Sequence, residues 1–317
     1  MAVIENSKIA IVGAGAVGTS LAYAALLRES AREVALYDIR AERVEAEVLD
    51  LAHGTMFTGS SRITGGADLA VVNDANVVII TAGAKQQPGQ SRLDLAGANV
   101  EMLRSLMPAL VERAPDAVYV LVTNPCDVLT VAARRFGGLP ANRVFSSGTV
   151  LDTSRLRWLL AERAGVATSS VHAMIVGEHG DSEFPLWSQS RIGPIPIRDW
   201  AAEGRPALDR AELDRIADDV MHAAYRVIAG KGATNFAIGV TGARIAEAIL
   251  RDERAILPVS SILDDYLGVS GVALSVPTII DSSGVAEVLH VPFDDDEKRR
   301  FQHSAEVVAS TIASLGL

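Results

Sequence analysis

Residues 8–12 of the chain, Lys-Ile-Ala-Ile-Val, run directly into Gly13-Ala14-Gly15-Ala16-Val17-Gly18. A G-x-G-x-x-G that follows an apolar strand and opens a helix restricts the fold more than any other stretch here. Gly13 permits the tight turn, Gly15 lets a pyrophosphate approach the backbone, and Gly18 lets helix and strand pack closely. The first N–H groups of the helix, Val17 among them, face such an anion at the positive end of the helix dipole. Alone, the pattern is weak, since a turn needed only for packing would also produce it. Asp38 adds a second signal, twenty residues after Gly18 at the end of the next apolar run. A carboxylate there accepts both ribose hydroxyls and repels a 2′-phosphate, so it points to NAD over NADP. The competing view is a surface aspartate that merely ends a strand.

Around this motif the first half alternates short apolar runs with helical patterns. Strands are expected at 8–12, 33–37, 76–81 and 119–123, with helices at 16–28 and 41–51 between them. Near-continuous Val, Ile and Leu suit parallel strands covered on both faces. The expectation is an α/β chain: a doubly wound (Rossmann) parallel sheet over residues 1–148, followed by an α+β substrate domain over 149–317. In the second half, helices are expected at 151–164, 208–229, 234–250 and 295–315, an extended piece at 171–176, and an irregular stretch at 192–206. Further strands are expected at 255–260, 273–280 and 285–291.

Composition excludes several function classes. A chain of 317 residues that is 49% hydrophobic supplies the core of two ordinary domains. A net charge of −10 argues against nucleic acid and anionic membranes as partners. No secretory signal or membrane-length apolar run is visible, and a single cysteine, Cys126, cannot form an internal disulfide; a cytoplasmic location is expected. Cys126 is read as a small buried hydrophobe, and the scattered histidines form no metal set.

The reaction is carried by three further segments: Gln86-Gln87-Pro88-Gly89-Gln90-Ser91-Arg92, Leu151-Asp152-Thr153-Ser154-Arg155 and Gly177-Glu178-His179-Gly180-Asp181. Together with Val122-Thr123-Asn124-Pro125 and Gly232-Ala233-Thr234, they make the chain resemble the lactate/malate dehydrogenase family along essentially its whole length. The resemblance implies hydride exchange between a nicotinamide cofactor and a 2-oxo acid. Reducing a ketone requires a proton at oxygen, and His179 is the group that titrates near neutrality. Asp152, bonded to its other ring nitrogen, would fix the tautomer and favour the imidazolium. Arg155, three residues on in a helix, can hold the substrate carboxylate with two parallel hydrogen bonds. A loop histidine and a solvated helix arginine are the structural alternatives.

Other roles rest on the resemblance alone. It implies that Arg92 arrives with a lid hinged near Gly83 and Gly89 and polarises the carbonyl. Asn124 would contact substrate and nicotinamide; Thr234 would line the substrate pocket and Ile238 the nicotinamide face. Malate-specific relatives carry arginine where this chain has Gln86, so an unpaired second carboxylate under the lid disfavours oxaloacetate and leaves pyruvate and L-lactate as the expected pair. Arg157 and His172 match positions that bind fructose 1,6-bisphosphate in many bacterial relatives, though two ordinary surface residues would look the same. A homotetramer is implied. An enzyme for another 2-oxo acid and a silent NAD-binding sensor stay open, although a sensor would need only the glycines and Asp38.

Overall fold

A computed structural model of the chain describes residues 6–84, 92–201, 204 and 208–317. Gln86 and Gly89 lie outside the described residues. Of Arg92 only the backbone is described, at the start of a helix.

The centre is an eight-stranded sheet. Six strands are parallel: β1 (Lys8–Val12), β2 (Glu33–Tyr37), β3 (Arg62–Gly66), β4 (Val77–Ile80), β5 (Val118–Leu121) and β6 (Val144–Ser146), in the spatial order β6-β5-β4-β1-β2-β3. The expected doubly wound sheet is therefore present. Side chains of β1 alternate between two cores, as a period of two requires. Ile9 and Ile11 pack with α1 (Ala16–Leu27), α2 (Ala41–His53) and a later helix. Ala10 and Val12 pack with α3 (Arg92–Arg113) and α4 (Cys126–Gly137). Chain order reverses beside β1, so the loops leaving β1 and β4 diverge and open a crevice at the strands' C-terminal ends. The edge strand β3, Arg-Ile-Thr-Gly-Gly, has no apolar run and gives no sequence signal.

Beyond β6 the sheet gains two antiparallel strands, Ser260–Ile262 and Ala273–Ser275. The single strands expected at 255–260 and 273–280 are each two. Ala255–Leu257 and Thr278–Asp281 pair with each other in a separate three-stranded sheet with Gly284–Val288. Pro258 and Pro277 stand at the two breaks. Proline has no N–H for the ladder, so the chain changes sheet at each one. The helix expected over 208–229 is also divided, into α6 (Arg210–Met221) and α7 (Ala223–Lys231), at His222. The α7 helix runs through Gly230 and stops at Gly232, whose φ of +83° suits glycine. After it, α8 (Phe236–Leu250) returns to pack against α1, and α9 (Asp295–Ser314) closes the chain by packing its Phe301 into a core with Phe184, Tyr266 and Phe293. Among the described residues no helix is long and apolar enough to cross a membrane.

Candidate active site

The glycine turn follows β1 as the sequence pattern requires. Gly13 has φ +113°, and a Cβ there would lie 2.7 Å from the Ala82 nitrogen; one on Gly18 would lie 1.9 Å from the Gly13 carbonyl oxygen. At Gly15 the space that a Cβ would enter is open to 4 Å. No side chain caps the start of α1, and half-buried Val17 lies in its first turn. Open space before uncapped helix N–H groups fits a pyrophosphate. Asp38, 9% exposed, directly follows β2 beside this turn. Its Oδ2 accepts the Ala14 N–H (2.8 Å) and its Oδ1 the Arg40 N–H (3.0 Å). Burial opposes ionisation, but these two N–H donors and the Arg40 guanidinium hold the carboxyl below its usual range. A charged acceptor beside the phosphate cradle fits an unphosphorylated ribose.

The catalytic candidates stand at the C-terminal ends of β5 and β6. The α5 helix (Val150–Ala164) begins just after β6 and carries Asp152 and Arg155 in its first turns. Thr149, just before α5, and Thr153 within it fix the extended pair Ile175–Val176 beside the helix: Thr149 donates its hydroxyl to the Ile175 carbonyl (2.6 Å), and Thr153 accepts the Ile175 N–H (2.9 Å). Gly177 then joins Ser275 through two 2.9 Å backbone hydrogen bonds. The chain is thereby held so that His179 reaches Asp152. Its Nδ1 lies 2.8 Å from Asp152 Oδ2, while Arg155 Nη1 donates to Asp152 Oδ1 (2.6 Å). Asp152, 2% exposed, is gripped from both sides by cationic partners. The structure thus brings Asp152, Arg155 and His179 into one hydrogen-bonded group.

Two acids missed in the sequence surround the same imidazole. Asp127, in the first turn of α4 and three residues after Asn124, accepts the His179 backbone N–H on Oδ2 (2.8 Å). Glu183 places Oε2 3.9 Å from His179 Nδ1 with its side chain 4% exposed. Nothing in the local sequence distinguishes either from a surface acid; only tertiary contact does. Burial drives Asp127 up to about 6. Burial and the Asp152 charge push Glu183 well above the carboxylate range, so it stands as a neutral acid. Burial alone would lower the His179 pKa, but the charge and hydrogen bond of Asp152 raise it to about 10. Asp152 stays ionised despite burial because His179 and Arg155 face it. Asp152, His179 and Glu183 also form a group of metal-capable donors within 4.8 Å, yet both Asp152 oxygens are engaged and a guanidinium touches one of them, a poor setting for a cation.

The remaining candidates fall elsewhere. Thr234 and Ile238 flank the start of α8, where Asn235 donates to Ser20 of α1 (2.8 Å). Arg157 lies apart from the Arg155 grip, its Nε donating to the Ala173 carbonyl (2.8 Å) beside exposed His172. Burial lowers the Arg157 pKa. Cys126 is 1% exposed, and burial raises its thiol well above the usual value, which removes it as a nucleophile.

Comparison with known proteins gives a consistent answer. Residues 7–146 match the family described as lactate/malate dehydrogenase, NAD binding domain, and residues 149–315 match lactate/malate dehydrogenase, alpha/beta C-terminal domain. The L-lactate dehydrogenase of Bifidobacterium animalis subsp. lactis is 51% identical over 99% of this chain and 98% of its own length. That of a Synechococcus species is 44% identical over 97% and 99%. A crystal structure of a lactate dehydrogenase from a Medee basin deep-sea metagenome library superposes with TM-score 0.94 at 33% identity, covering 98% of this chain and 99% of that one.

Proposed function

The chain belongs to the lactate/malate dehydrogenase family, and from that premise we propose that it is an NAD-dependent L-lactate dehydrogenase interconverting pyruvate and L-lactate. One observation carries the reading: Arg155, Asp152 and His179 form a single hydrogen-bonded line at the mouth of the dinucleotide crevice. NADH supplies the hydride. Gly13, Gly15, Val17, Gly18 and Asp38 hold the adenosine and pyrophosphate half, with Asn124 and Ile238 at the nicotinamide half. Arg155 binds the substrate carboxylate and fixes its orientation. His179, protonated and turned by Asp152, donates its proton to the carbonyl oxygen and recovers it in the reverse direction. Arg92 polarises that oxygen, Asn124 hydrogen-bonds it, and Thr234 lines the pocket. The division of labour follows the proposed domains, 1–148 for cofactor and 149–317 for substrate.

Gln86 sets the choice of substrate, since a neutral amide leaves a second carboxylate unpaired. The test is NADH consumption with pyruvate, oxaloacetate and longer 2-oxo acids. Pyruvate is expected to be turned over fastest, and Gln86→Arg to move preference towards oxaloacetate by about 100-fold or more. No NADH consumption with any 2-oxo acid would leave only a binding protein; an unchanged substrate ratio in the variant would remove Gln86 from the account.

We further propose a cytoplasmic homotetramer serving fermentative glycolysis. Its support is the exposure of Met56 (87%), Phe57 (85%) and Trp158 (56%), apolar area that a second copy would cover. Arg157 and His172, with Arg191 opposite His172 in the strand register, offer cationic chemistry for a sugar bisphosphate activator.

A further inference from the structure

Asn99 lies on α3, two turns after Arg92, and is 1% exposed. Its Oδ1 accepts the N–H of Ala84 and its Nδ2 donates to the carbonyl of Asn124, both at 2.8 Å. One partner can only donate and the other only accept, so the amide has one orientation that satisfies both. Ala84 belongs to the loop that leaves β4, and Asn124 to the loop that leaves β5.

Those strands are neighbours whose paired register ends at Ile80 and Leu121. Past that point, side chains continue the work of the ladder. Thr123 donates its hydroxyl to the Ala82 carbonyl (2.7 Å), while Thr81 donates to the Gly13 carbonyl (3.0 Å) and ties the β4 loop to the glycine turn on its other side. Asn99 makes the outermost stitch. Gly83 lies within it, where a Cβ would stand 2.3 Å from Thr123 Cγ2 and 3.2 Å from Asn99 Oδ1. The two loops therefore approach more closely than a side chain permits.

We propose that Asn99 is a positioning residue for the substrate end of the cleft: its carboxamide sets the spacing of the β4 and β5 loops and so places Asn124 against the reacting groups. Asn99 touches neither substrate nor cofactor. The adenosine end is built from β1, β2 and Asp38, whose hydrogen bonds do not pass through Asn99. Loss of Asn99 therefore damages one end of a single cleft and spares the other. The inference rests on the dehydrogenase reading above, because pyruvate turnover is its readout.

Two variants of the full chain test it. Asn99→Leu keeps the bulk and removes both hydrogen bonds. Ionised Asn99→Asp still accepts from Ala84 but sets a carboxylate oxygen against the Asn124 carbonyl; protonated, its O–H replaces the lost amide donor. The expected result for Asn99→Leu is a fall in kcat with pyruvate of about 30-fold, the equivalent of two ordinary hydrogen bonds. Its affinity for ADP-ribose stays within about twofold of the parent chain. For Asn99→Asp, kcat relative to the parent at the same pH rises about tenfold from pH 8.5 to 5.5, while the Leu ratio stays flat. Parental kcat in Asn99→Leu, ADP-ribose affinity lost in step with kcat, or a flat ratio for Asn99→Asp overturns the inference. Should Asn99→Leu not fold, the pH response of Asn99→Asp decides alone. A parent chain inert towards all 2-oxo acids overturns the reaction as well, which an active parent with unaffected variants does not.

Discussion

Three carboxyl groups surround His179, and each contributes differently because each is solvated differently. Asp152 is paired on both oxygens and carries full charge; Glu183 has only a 3.9 Å approach to the ring and stays neutral. Removing the charge of Asp152 leaves burial to dominate the imidazole, so Asp152→Asn lowers the His179 pKa from about 10. The expected pH–rate profile for pyruvate reduction in Asp152→Asn shows its alkaline fall at much lower pH and a loss of about 100-fold at pH 8. In Glu183→Gln the fall stays in place. An alkaline limb in Asp152→Asn coincident with the parent's would refute the pairing. Linkage gives the stability consequence. The folded pKa of His179 lies above its unfolded value near 6.5, so its contribution is fully present below about 6.5 and is lost as pH rises through about 10. At this scale the sequence was legible where residue type suggested proximity: Asp152, Arg155 and His179 meet in one hydrogen-bonded group, and Asp38 stands beside the glycine turn. Asp127, Glu183 and Asn99 were not legible, since an acid or an amide gains its role only from partners 52, 4 and 25 positions away.

Elements were legible in proportion to their periodicity and their punctuation. The entry into α9 is written plainly: Asp294 accepts the Asp296 and Glu297 N–H groups (3.0 and 2.9 Å), and Glu297 accepts the Asp294 N–H in return (2.8 Å). Glu297 also takes the Ser188 N–H and hydroxyl (2.9 and 2.6 Å), tying the cap to the turn at Trp187–Gln189. Asp294→Ala is expected to cost about 1 kcal/mol, read as a fall in Tm of about 2 °C with kcat unchanged, and Asp294→Ser to recover most of it. An unaltered Tm would mean that the cap is redundant. By contrast, apolar runs over 255–260 and 273–280 looked continuous although each holds a proline. Residue type argued for a strand at every position but one, and that position redirected the chain into another sheet.

At the scale of the molecule, α1 and α8 join the two halves. Arg28 at the end of α1 meets Glu247 of α8 with Nε and Nη2 at 2.7 and 2.6 Å, and Ser30 donates to the same carboxylate (2.8 Å). Glu247 is 1% exposed. Arg28→Ala leaves that carboxylate buried with weaker partners and is expected to cost about 2–3 kcal/mol, visible as a Tm several degrees lower. A paired variant with Glu247→Leu should recover part of the loss; a neutral Arg28→Ala would show that the ion pair adds nothing to the joint. For the assembly, sedimentation is expected to give the mass of four chains, and fructose 1,6-bisphosphate to lower the pyruvate concentration for half-maximal rate. A monomer, or no response at saturating effector, would remove the corresponding proposal.

Local covalent chemistry and short-range sterics were enough for the sequence to determine the glycine turn, the alternation of strand and helix and the cofactor type, because each depends on residues adjacent in the chain or on one side chain's intrinsic chemistry. Tertiary structure alone decided that Asp127 and Glu183 join Asp152 around His179, how far the imidazole pKa moves, where prolines divert the chain between sheets, and which amide holds the β4 and β5 loops together. Those properties are set by burial and by distances between residues far apart in sequence, and dielectric and separation have no counterpart in a linear string.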